Sequence, residues 1–326
     1  KWSLTALKLS WIRQTPCVSI SIVLGTRAEM SNKIRVAILG SRGIPARYGG
    51  FETITQELST ELAKRGFDVY VACEAGFFKR NPYATYKAVR LVYFPIISSI
   101  RTVSEVLYDA LSTIWASLKV DVIYVLGYAS VIALIFPKLL GKVVMVNVDG
   151  LEWSRGKFNR VLRFLLKGFE MLTVKIADYI VVDSHTIGTY YQKNYGIKPI
   201  YIPNGIREIK PCSCEVLEKY GLEKHGYYLV VARLEPENNI DLIIKGFKKA
   251  KSKKKLVIVG NLKKTSYVAK LLQWKGKNGK IIFLGGIYDQ KFLRTLRYYC
   301  YAHIHGHEVG GTNPSLLEAL SSRNAV

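Results

Sequence analysis

Two distant stretches of the chain begin in the same way, with a short apolar run, a loop and a helical pattern. In the first half, Ile34–Leu39 precedes the glycine-bearing loop Gly40–Gly50, and Glu52–Arg65 has helical periodicity. In the second half, Tyr227–Ala232 precedes a polar loop and a helical stretch at Ile240–Ala250. Strand, loop and helix in this order indicate a parallel α/β sheet. Their recurrence predicts two successive α/β domains.

The remaining apolar runs and helical periods extend both domains. In the first domain we predict strands at Asp68–Cys73, Ala88–Phe94, Val120–Leu126, Val143–Val148, Tyr179–Asp183 and Lys198–Ile202, and helices at Ser104–Ser117, Ser130–Leu140 and Phe158–Ile176. In the second we predict strands at Leu256–Gly260, Ile281–Leu284 and Ala302–His305, and helices at Ser266–Trp274 and Asp289–Tyr299. The predicted organisation is an extension (1–29), a first domain (30–205), a polar linker (206–225) and a second domain (226–326).

The two ends of the chain differ from the regions between them. The apolar run Cys17–Leu24 is far shorter than the roughly 20 residues that a membrane span needs. Met30 stands just before the first strand, so we expect the folded protein to begin there. Ser321–Val326 reads as a helix end leading into another strand, so we expect the second domain to be truncated in this sequence.

The charge of the chain indicates anionic partners. Lys and Arg number 48 against 24 Asp and Glu, which gives a formal net charge of +24. Such a charge suggests nucleotide phosphates, nucleic acid or an acidic membrane surface as partners. The excess is spread along the chain, which fits a solvated or membrane-facing surface better than a dedicated nucleic-acid groove. Hydrophobic residues make up 49% of the chain, enough for real cores, so a disordered protein is excluded.

The five cysteines give no sign of a disulfide framework. Cys212 and Cys214 are too close together to form half of a zinc knuckle without a second pair. Free thiols in a reducing compartment are the better interpretation. We therefore expect a cytoplasmic protein, with peripheral attachment to the inner face of the membrane as an option.

The stretch from His305 to Leu320 has the pattern of a phosphate site. Asn313 is a good N-cap residue, and Pro314 suits the first helical position. Gly310 and Gly311 leave bare backbone before the unpaired N–H groups of a helix start. Glu318 lies one turn into that helix and could reach a hydroxyl of the same ligand. An ordinary capped helix with a surface glutamate remains the alternative.

Two more loops follow strands at the edge where α/β proteins bind ligands. Arg233 opens the loop after the first strand of the second domain, where its guanidinium could bind phosphate oxygens. The alternative for this loop is a simple helix cap. The Gly40–Gly50 loop lacks the G-x-G-x-x-G pattern of dinucleotide sites. Its arginines, Arg42 and Arg47, suit a crevice wall that faces a phosphorylated ligand, although a merely long loop is also possible.

Three further patterns have a functional and a structural interpretation. His303, His305 and His307 alternate and could hold a metal on one strand face, but no metal-binding motif of known spacing accompanies them. Asp149 follows a buried strand and is a candidate for orienting or deprotonating a hydroxyl, or simply part of a turn.

The third pattern is a basic amphipathic helix. Its basic residues Lys157, Arg160, Arg163 and Lys167 lie on one side, and its apolar residues Phe158, Val161, Leu165 and Phe169 on the others. Such a helix can bind an anionic bilayer, or it can pack on its own sheet with its charges in water.

Taken together, residues 33–326 resemble a GT-B glycosyltransferase of family 4, in particular its rhamnosyltransferase-like branch. Five motifs in order carry the resemblance: G-S-R-G-I-P-A-R-Y-G-G-F-E at 40–52, V-D-G-L-E-W at 148–153, I-P-N-G-I at 202–206, A-R-L-E-P-E-N-N at 232–239 and G-G-T-N-P-S-L-L-E-A at 310–319. The resemblance implies two Rossmann-like doubly wound domains that face each other across a cleft. It also implies a retaining transfer from a nucleotide-diphosphate sugar without a metal or other cofactor.

The resemblance assigns a role to each candidate residue. Arg233 would meet the diphosphate with the backbone of Gly311 and Thr312, and Glu318 would bind the ribose. Gly310 and Asn238 stand where the wider family has a glutamate and a lysine, and Glu308 would replace the former. The donor-binding set is thus Arg233, Asn238, Gly310, Gly311, Thr312, Asn313 and Glu318. The catalytic candidates are Asp149 and Glu308, and the cleft loop contributes Gly43, Arg47, Gly49 and Gly50.

The sequence therefore favours transfer of a sugar to a glycan or lipid-linked acceptor in surface-polysaccharide synthesis. Two alternatives stay open. The first is a sugar-nucleotide epimerase of the same architecture, which would need no acceptor. The second is a non-catalytic protein whose basic surface binds membranes or nucleic acid.

Overall fold

The computed structural model describes residues 33–46, 50–77, 84–95, 101–128, 130–154, 158–205, 213–276, 279–287, 289–308 and 310–326. The expectations for residues 1–29, Arg47 and Gly49 lie outside these ranges. The chain divides into two compact units, and each is treated by itself below. The first ends at Asn147 and adds Leu172–Gly205, and the second comprises Val148–Met171 and Ile206–Val326. The sequence-based boundary assigned Val148–Met171 to the first domain instead.

The first unit is built on an eight-stranded sheet. Its strands are β1 (Arg35–Leu39), β2 (Asp68–Glu74), β3 (Thr85–Tyr86), β4 (Val89–Phe94), β5 (Val122–Leu126), β6 (Val143–Asn147), β7 (Tyr179–Val182) and β8 (Ile200–Tyr201). Their order is β3-β4-β2-β1-β5-β6-β7-β8. All neighbours pair in parallel except β3 and β4, which form a hairpin that the sequence did not predict.

Helices follow most of these strands, as a parallel sheet requires. They are α1 (Gly50–Lys64), α2 (Arg101–Lys119), α3 (Ile135–Leu139), α4 (Arg160–Ile176) and α5 (His185–Tyr195), with a 3-10 turn at Val131–Leu134 leading into α3. Only the end of α4, from Leu172, belongs to the first unit. Alternate residues of β1 face opposite sides of the sheet. Val36 and Ile38 join a core with Leu58 of α1, whereas Ala37 and Leu39 pack with residues of α2.

The second unit contains a four-stranded parallel sheet in the order β11-β10-β9-β12. Its strands are β9 (Tyr227–Val231), β10 (Lys255–Val259), β11 (Ile281–Gly285) and β12 (Ala302–His303). Its helices are α6 (Glu215–Glu218), α7 (Ile240–Lys249), α8 (Ser266–Gln273), α9 (Gln290–Tyr299) and α10 (Pro314–Ser321). Ala325, after α10, makes an isolated parallel bridge to Ala302, where the sequence suggested the start of another strand.

Two sequence-based expectations for the second unit are wrong. The residues 206–225 were predicted to be a linker, but α6 lies within them and buries Leu217 and Leu222 in the core of the second unit. The strand predicted at Ala302–His305 ends at His303. The first error has a simple reason. The segment is mostly polar, and only the packing of Leu217 and Leu222 shows that it belongs to the core.

The apolar side of α4 does not pack fully on a sheet, as one of the two interpretations of the basic amphipathic helix expected, and the bilayer interpretation stays a prediction. Its apolar residues Val161 and Phe164 are 70% and 80% exposed. Glu170 is fully buried and accepts hydrogen bonds from Trp153 Nε1 and Lys167 Nζ, both at 2.8 Å. The Lys167 side chain stays 41% exposed while it pairs with this buried carboxylate. Lys157 lies outside the described residues.

Candidate functional site

The loop after β9 places Arg233 at the carboxyl edge of the second sheet. The side chain of Arg233 is half exposed, and its Nη1 lies 3.8 Å from Glu235 Oε2. The carbonyl of Arg233 accepts hydrogen bonds from Glu235 N at 2.9 Å and from Asn238 Nδ2 at 2.6 Å. Asn238 is only 2% exposed. Its amide therefore braces the arginine loop, and direct contact with a donor stays a prediction.

A second loop, which follows β12, is tied to the arginine loop by hydrogen bonds. Asn239 Nδ2 donates to Gly306 O at 3.0 Å, and Glu308 N donates to Glu237 O at 3.1 Å. Asn239 adopts a left-handed conformation with φ of 52°, which an asparagine tolerates better than most residues. These bonds fix the backbone of Glu308 beside the arginine loop, while its side chain is exposed.

The N-terminus of α10 reaches the same edge of the sheet. Asn313 Oδ1 accepts from Ser315 N at 2.9 Å, as the N-cap prediction required, and Pro314 occupies the first helical position. Ser315 Oγ donates to Val231 O, the last residue of β9, at 2.9 Å. The helix start is thereby anchored two residues away from Arg233. Pro314 has no N–H group, and the next three N–H groups are bound, Ser315 N by Asn313 Oδ1 and Leu316 N and Leu317 N by Asn313 O. The positive end of the helix dipole and the guanidinium therefore favour an anion at this edge of the sheet.

Glu318 lies one turn into α10 and forms an ion pair with Arg297 of α9. The pair joins Glu318 Oε2 to Arg297 Nη2. The Arg297 side chain is only 2% exposed, whereas that of Glu318 is 24% exposed. Burial lowers the pKa of Arg297, and the Glu318 charge opposes this shift. Sequence analysis missed Arg297, which is four residues past buried Leu293 on the inner side of α9.

The three histidines do not share one strand face. His303 lies in the core, whereas His305 and His307 stack in the loop with ring centroids 4.5 Å apart. Burial and the nearby Arg297 lower the pKa of His303 to about 3, and burial, His305 and Arg233 lower the pKa of His307 to about 4. Burial also lowers the pKa of His305. All three rings are therefore neutral at pH 7.

No metal cluster is found among the residues for which the structure gives a placement. There, no group of three or more His, Cys, Asp and Glu side chains is arranged to hold an ion.

The Asp149–Gly150 turn lies against the glycine loop before α10. A Cβ atom built on Gly150 would come 2.9 Å from Gly310 Cα and 3.2 Å from Gly311 N. Asp149 is half-buried and has a φ of 45°, and its catalytic role stays a prediction. Gly310 has a φ of 129°, a conformation that L side chains rarely adopt. The catalytic candidate and the predicted diphosphate loop are thus neighbours in the second unit.

The glycine loop of the first unit is held by its own sheet. A Cβ on Gly43 would come 2.5 Å from Cys73 Sγ, and Gly43 has a φ of 110°. Arg42, predicted to face a ligand, lies 3.8 Å from Glu74 Oε2 and 3.6 Å from Glu105 Oε1. Gly50 is the first residue of α1, two residues before the predicted start. Nearby Glu52 is buried, which raises its pKa to about 7.

Two family descriptions match consecutive parts of the chain. Residues 33–206 match the family described as "Domain of unknown function (DUF1972)". Residues 215–326 match the family described as "Glycosyl transferases group 1". No curated protein matches the sequence.

Solved structures similar to this chain are GT-B proteins of low sequence identity. Sucrose-phosphate synthase from Thermosynechococcus elongatus is 13% identical, with a TM-score of 0.69 over 90% of this chain and 80% of that one. Anabaena Alr3699/HepE in complex with UDP and glucose is 16% identical, with a TM-score of 0.67 over 89% and 79%.

UDP-GlcNAc 2-epimerase from Methanocaldococcus jannaschii is 14% identical, with a TM-score of 0.53 over 89% and 82%. Together with the two parallel sheets, these matches confirm the predicted fold class, an α/β protein of GT-B type. They do not test the family 4 or rhamnosyltransferase-like assignment.

Proposed function

Because the chain belongs to the DUF1972 family and ends in a glycosyl transferases group 1 domain, we propose that it transfers a sugar from a nucleotide-diphosphate sugar. The observation that carries the proposal is the joint placement of Arg233 and the N-terminus of α10 at the end of β9. A guanidinium and the positive end of a helix dipole at one edge of the sheet suit a diphosphate. Related structures bind UDP and UDP-glucose, which supports this donor class.

In this proposal, the fixed donors of the second unit stabilise the charge that develops as the sugar leaves. Arg233 and the backbone of Gly311 and Thr312 bind the diphosphate, and the helix dipole of α10 adds to their field. Glu318, held by Arg297, binds the ribose hydroxyls. No resident cofactor is invoked, since the positive charge comes from these groups.

The sugar-facing groups in this proposal are Asp149 and Glu308. Asp149 directly precedes Gly150, which lies against the Gly310–Gly311 backbone, and in this proposal its carboxylate orients or deprotonates the attacking acceptor hydroxyl. Glu308 is exposed beside the arginine loop, where it can contact sugar hydroxyls. We propose retention of anomeric configuration, a glycan or lipid-linked acceptor and a role in surface-polysaccharide synthesis. The family 4, rhamnosyltransferase-like resemblance supports these finer points.

Calorimetric titration with a panel of uridine, thymidine and guanosine diphosphate sugars tests the donor site. Replacing Arg233 with Ala removes the guanidinium from the diphosphate, so the best donor should bind at least about tenfold more weakly. The matched control is Arg294→Ala, on the solvent-exposed side of α9. Equal affinity for the wild type and Arg233→Ala would contradict the donor site.

Product analysis separates transfer from the two alternatives. Turnover of the sugar nucleotide without acceptor, giving an epimer, would favour an epimerase, for which the similarity to a UDP-GlcNAc 2-epimerase gives a structural precedent. Salt-sensitive binding to anionic surfaces without any turnover would favour a non-catalytic protein. Nuclear magnetic resonance of the anomeric proton in the product tests retention.

A further inference from the structure

An apolar stripe runs along the outer side of α2. Val103, Leu107, Ile114 and Leu118 are exposed at intervals of four, seven and four residues, which is one side of a helix. The opposite side of α2 packs into the core through Tyr108 and Ala116. A surface helix normally presents polar residues to water on this outer side. The exposed stripe therefore marks α2 as a helix that is apolar on both sides.

The neighbouring elements continue this apolar surface. The 3-10 turn and α3 pack against α2, and Ser130 Oγ donates to Asp109 Oδ2 at 3.2 Å between them. Ile132, Ile135, Phe136 and Leu139 are all exposed, and Leu139 is 79% exposed. We define the α2–α3 face as the side chains Ile114, Leu118, Ile132, Ile135, Phe136 and Leu139. Contiguous apolar surface on adjacent helices indicates a binding surface rather than scattered exposure.

The charges around the α2–α3 face are predominantly positive. Residues 110–120 and 130–142 contain no acidic residue, but they contain Lys119 and Lys138, with Lys142 at the end. Three carboxylates lie on the neighbouring segments: Asp121 accepts from Arg35 at 2.8 Å, Asp178 pairs with Lys138, and Asp109 accepts from Ser130 Oγ, with burial raising its pKa to about 7. Two of them are thus paired with cations, and Lys119 and Lys142 add positive charge to the rim. An apolar face with this rim complements an anionic surface.

We propose that the α2–α3 face seats the protein on an anionic lipid bilayer. Its aliphatic and aromatic side chains enter the boundary between headgroups and acyl chains, and the lysine stems extend to the phosphates. None of the described helices is long and apolar enough to cross a membrane, so the helices lie in the interface. The face offers no polar side chain to specify a protein partner. Pairing with a second copy would also bring two positive rims together.

This inference deepens the proposed function, because it rests on a lipid-linked acceptor for its biological purpose. The binding itself needs no sugar donor, so the two proposals can fail separately. If the protein binds the donor but not vesicles, the membrane proposal is wrong and the acceptor is water-soluble. If it binds vesicles but not the donor, the glycosyltransferase proposal is wrong and the membrane proposal is unaffected.

Vesicle sedimentation of the full chain tests the proposal. The wild type should bind vesicles of phosphatidylcholine with phosphatidylglycerol and should bind phosphatidylcholine alone more weakly. The double variant Leu118→Ser/Leu139→Ser should lower partitioning roughly tenfold or more, because two apolar side chains no longer enter the bilayer. The variant Lys119→Gln/Lys142→Gln should lose the preference for phosphatidylglycerol.

The matched control is Leu242→Ser on α7, which replaces an equally exposed leucine of the second unit and should leave partitioning unchanged. Circular dichroism and the thermal midpoint check that each variant is folded. Three results would overturn the proposal: a wild type that binds neither vesicle, equal binding by Leu118→Ser/Leu139→Ser, or loss of binding only in Val161→Ser/Phe164→Ser of α4. If the wild type is a dimer that does not bind vesicles, and Leu118→Ser/Leu139→Ser makes it monomeric, the occupant of the α2–α3 face is a second copy of the chain.

Discussion

The candidate site of the second unit and the α2–α3 face of the first unit depart from the usual distribution of polar and apolar residues in opposite directions. The second unit buries charged and titratable side chains, Arg297 and His303, beneath its candidate site. The first unit exposes aliphatic side chains, such as Leu118 and Leu139, on the α2–α3 face. A buried charge costs folding free energy unless it is paired, whereas an exposed leucine costs little. Substitutions at the buried charges of the second unit should therefore lower the free energy of unfolding, whereas substitutions on the α2–α3 face should leave it nearly unchanged.

The largest expected effect comes from breaking the Arg297–Glu318 pair. Glu318→Ala leaves a guanidinium that is 2% exposed without its carboxylate, so the free energy of unfolding should fall by about 3 kcal/mol. Arg297→Met removes the buried charge and leaves a carboxylate that reaches water, so it should cost about 1–2 kcal/mol. Urea unfolding measures both changes. Equal losses would show that burial does not set the cost.

Arg297 and Glu318 should also be energetically coupled, because each neutralises the other. The double variant Arg297→Met/Glu318→Ala should lose less stability than the sum of the single variants. If the single losses were additive, the two side chains would not be coupled.

The second prediction concerns pH and His303. Its pKa of about 3 in the folded protein lies below the ordinary value of 6.5, so only the unfolded chain takes up a proton between these values. The stabilisation is fully present above pH 6.5 and is lost as the pH falls toward 3. Relative to His303→Gln, the wild type should lose up to about 1.4 kcal/mol of unfolding free energy per pH unit.

Urea unfolding of both proteins at pH 7, 6 and 5, with the difference taken at each pH, isolates this residue. Other groups cancel in that difference, including Glu52, whose raised pKa has the opposite sign. A difference that does not change with pH would mean that His303 accepts a proton equally in the folded and unfolded states.

The smallest effect is expected in the first unit. Leu118→Ser/Leu139→Ser should change the unfolding free energy by no more than about 0.5 kcal/mol per site, because both side chains already contact water. For comparison, Leu62→Ala, at a residue of α1 that packs in the core, should lower the unfolding free energy by about 2–5 kcal/mol. Thermal denaturation of the three proteins decides the point. A large loss in the surface variant would place these leucines in a structural role.

Much of this architecture could be predicted from local patterns. Strand and helix positions followed from apolar periodicity, and the Asn313 cap and Pro314 followed from residue type alone. Two things did not. Arg294 and Arg297 lie one turn apart on α9, yet one is exposed and the other is buried. In α4, Glu170 is fully buried, whereas Val161 and Phe164 are exposed. Both outcomes depend on how the helix packs, which periodicity does not encode.

The Ser315–Val231 bond has a consequence for how sugar specificity could change. One end of the loop after β12 is fixed by the pairing of β12 with β9. The other end is fixed by the hydrogen bond from the Ser315 hydroxyl to the carbonyl of Val231. Under the proposed function, substitutions of side chains between His305 and Thr312 would therefore change the surface proposed to face the sugar while the start of α10 stays in place. Donor selection could diversify in this segment without rebuilding the anchor, which makes it the natural target for directed evolution of the donor sugar.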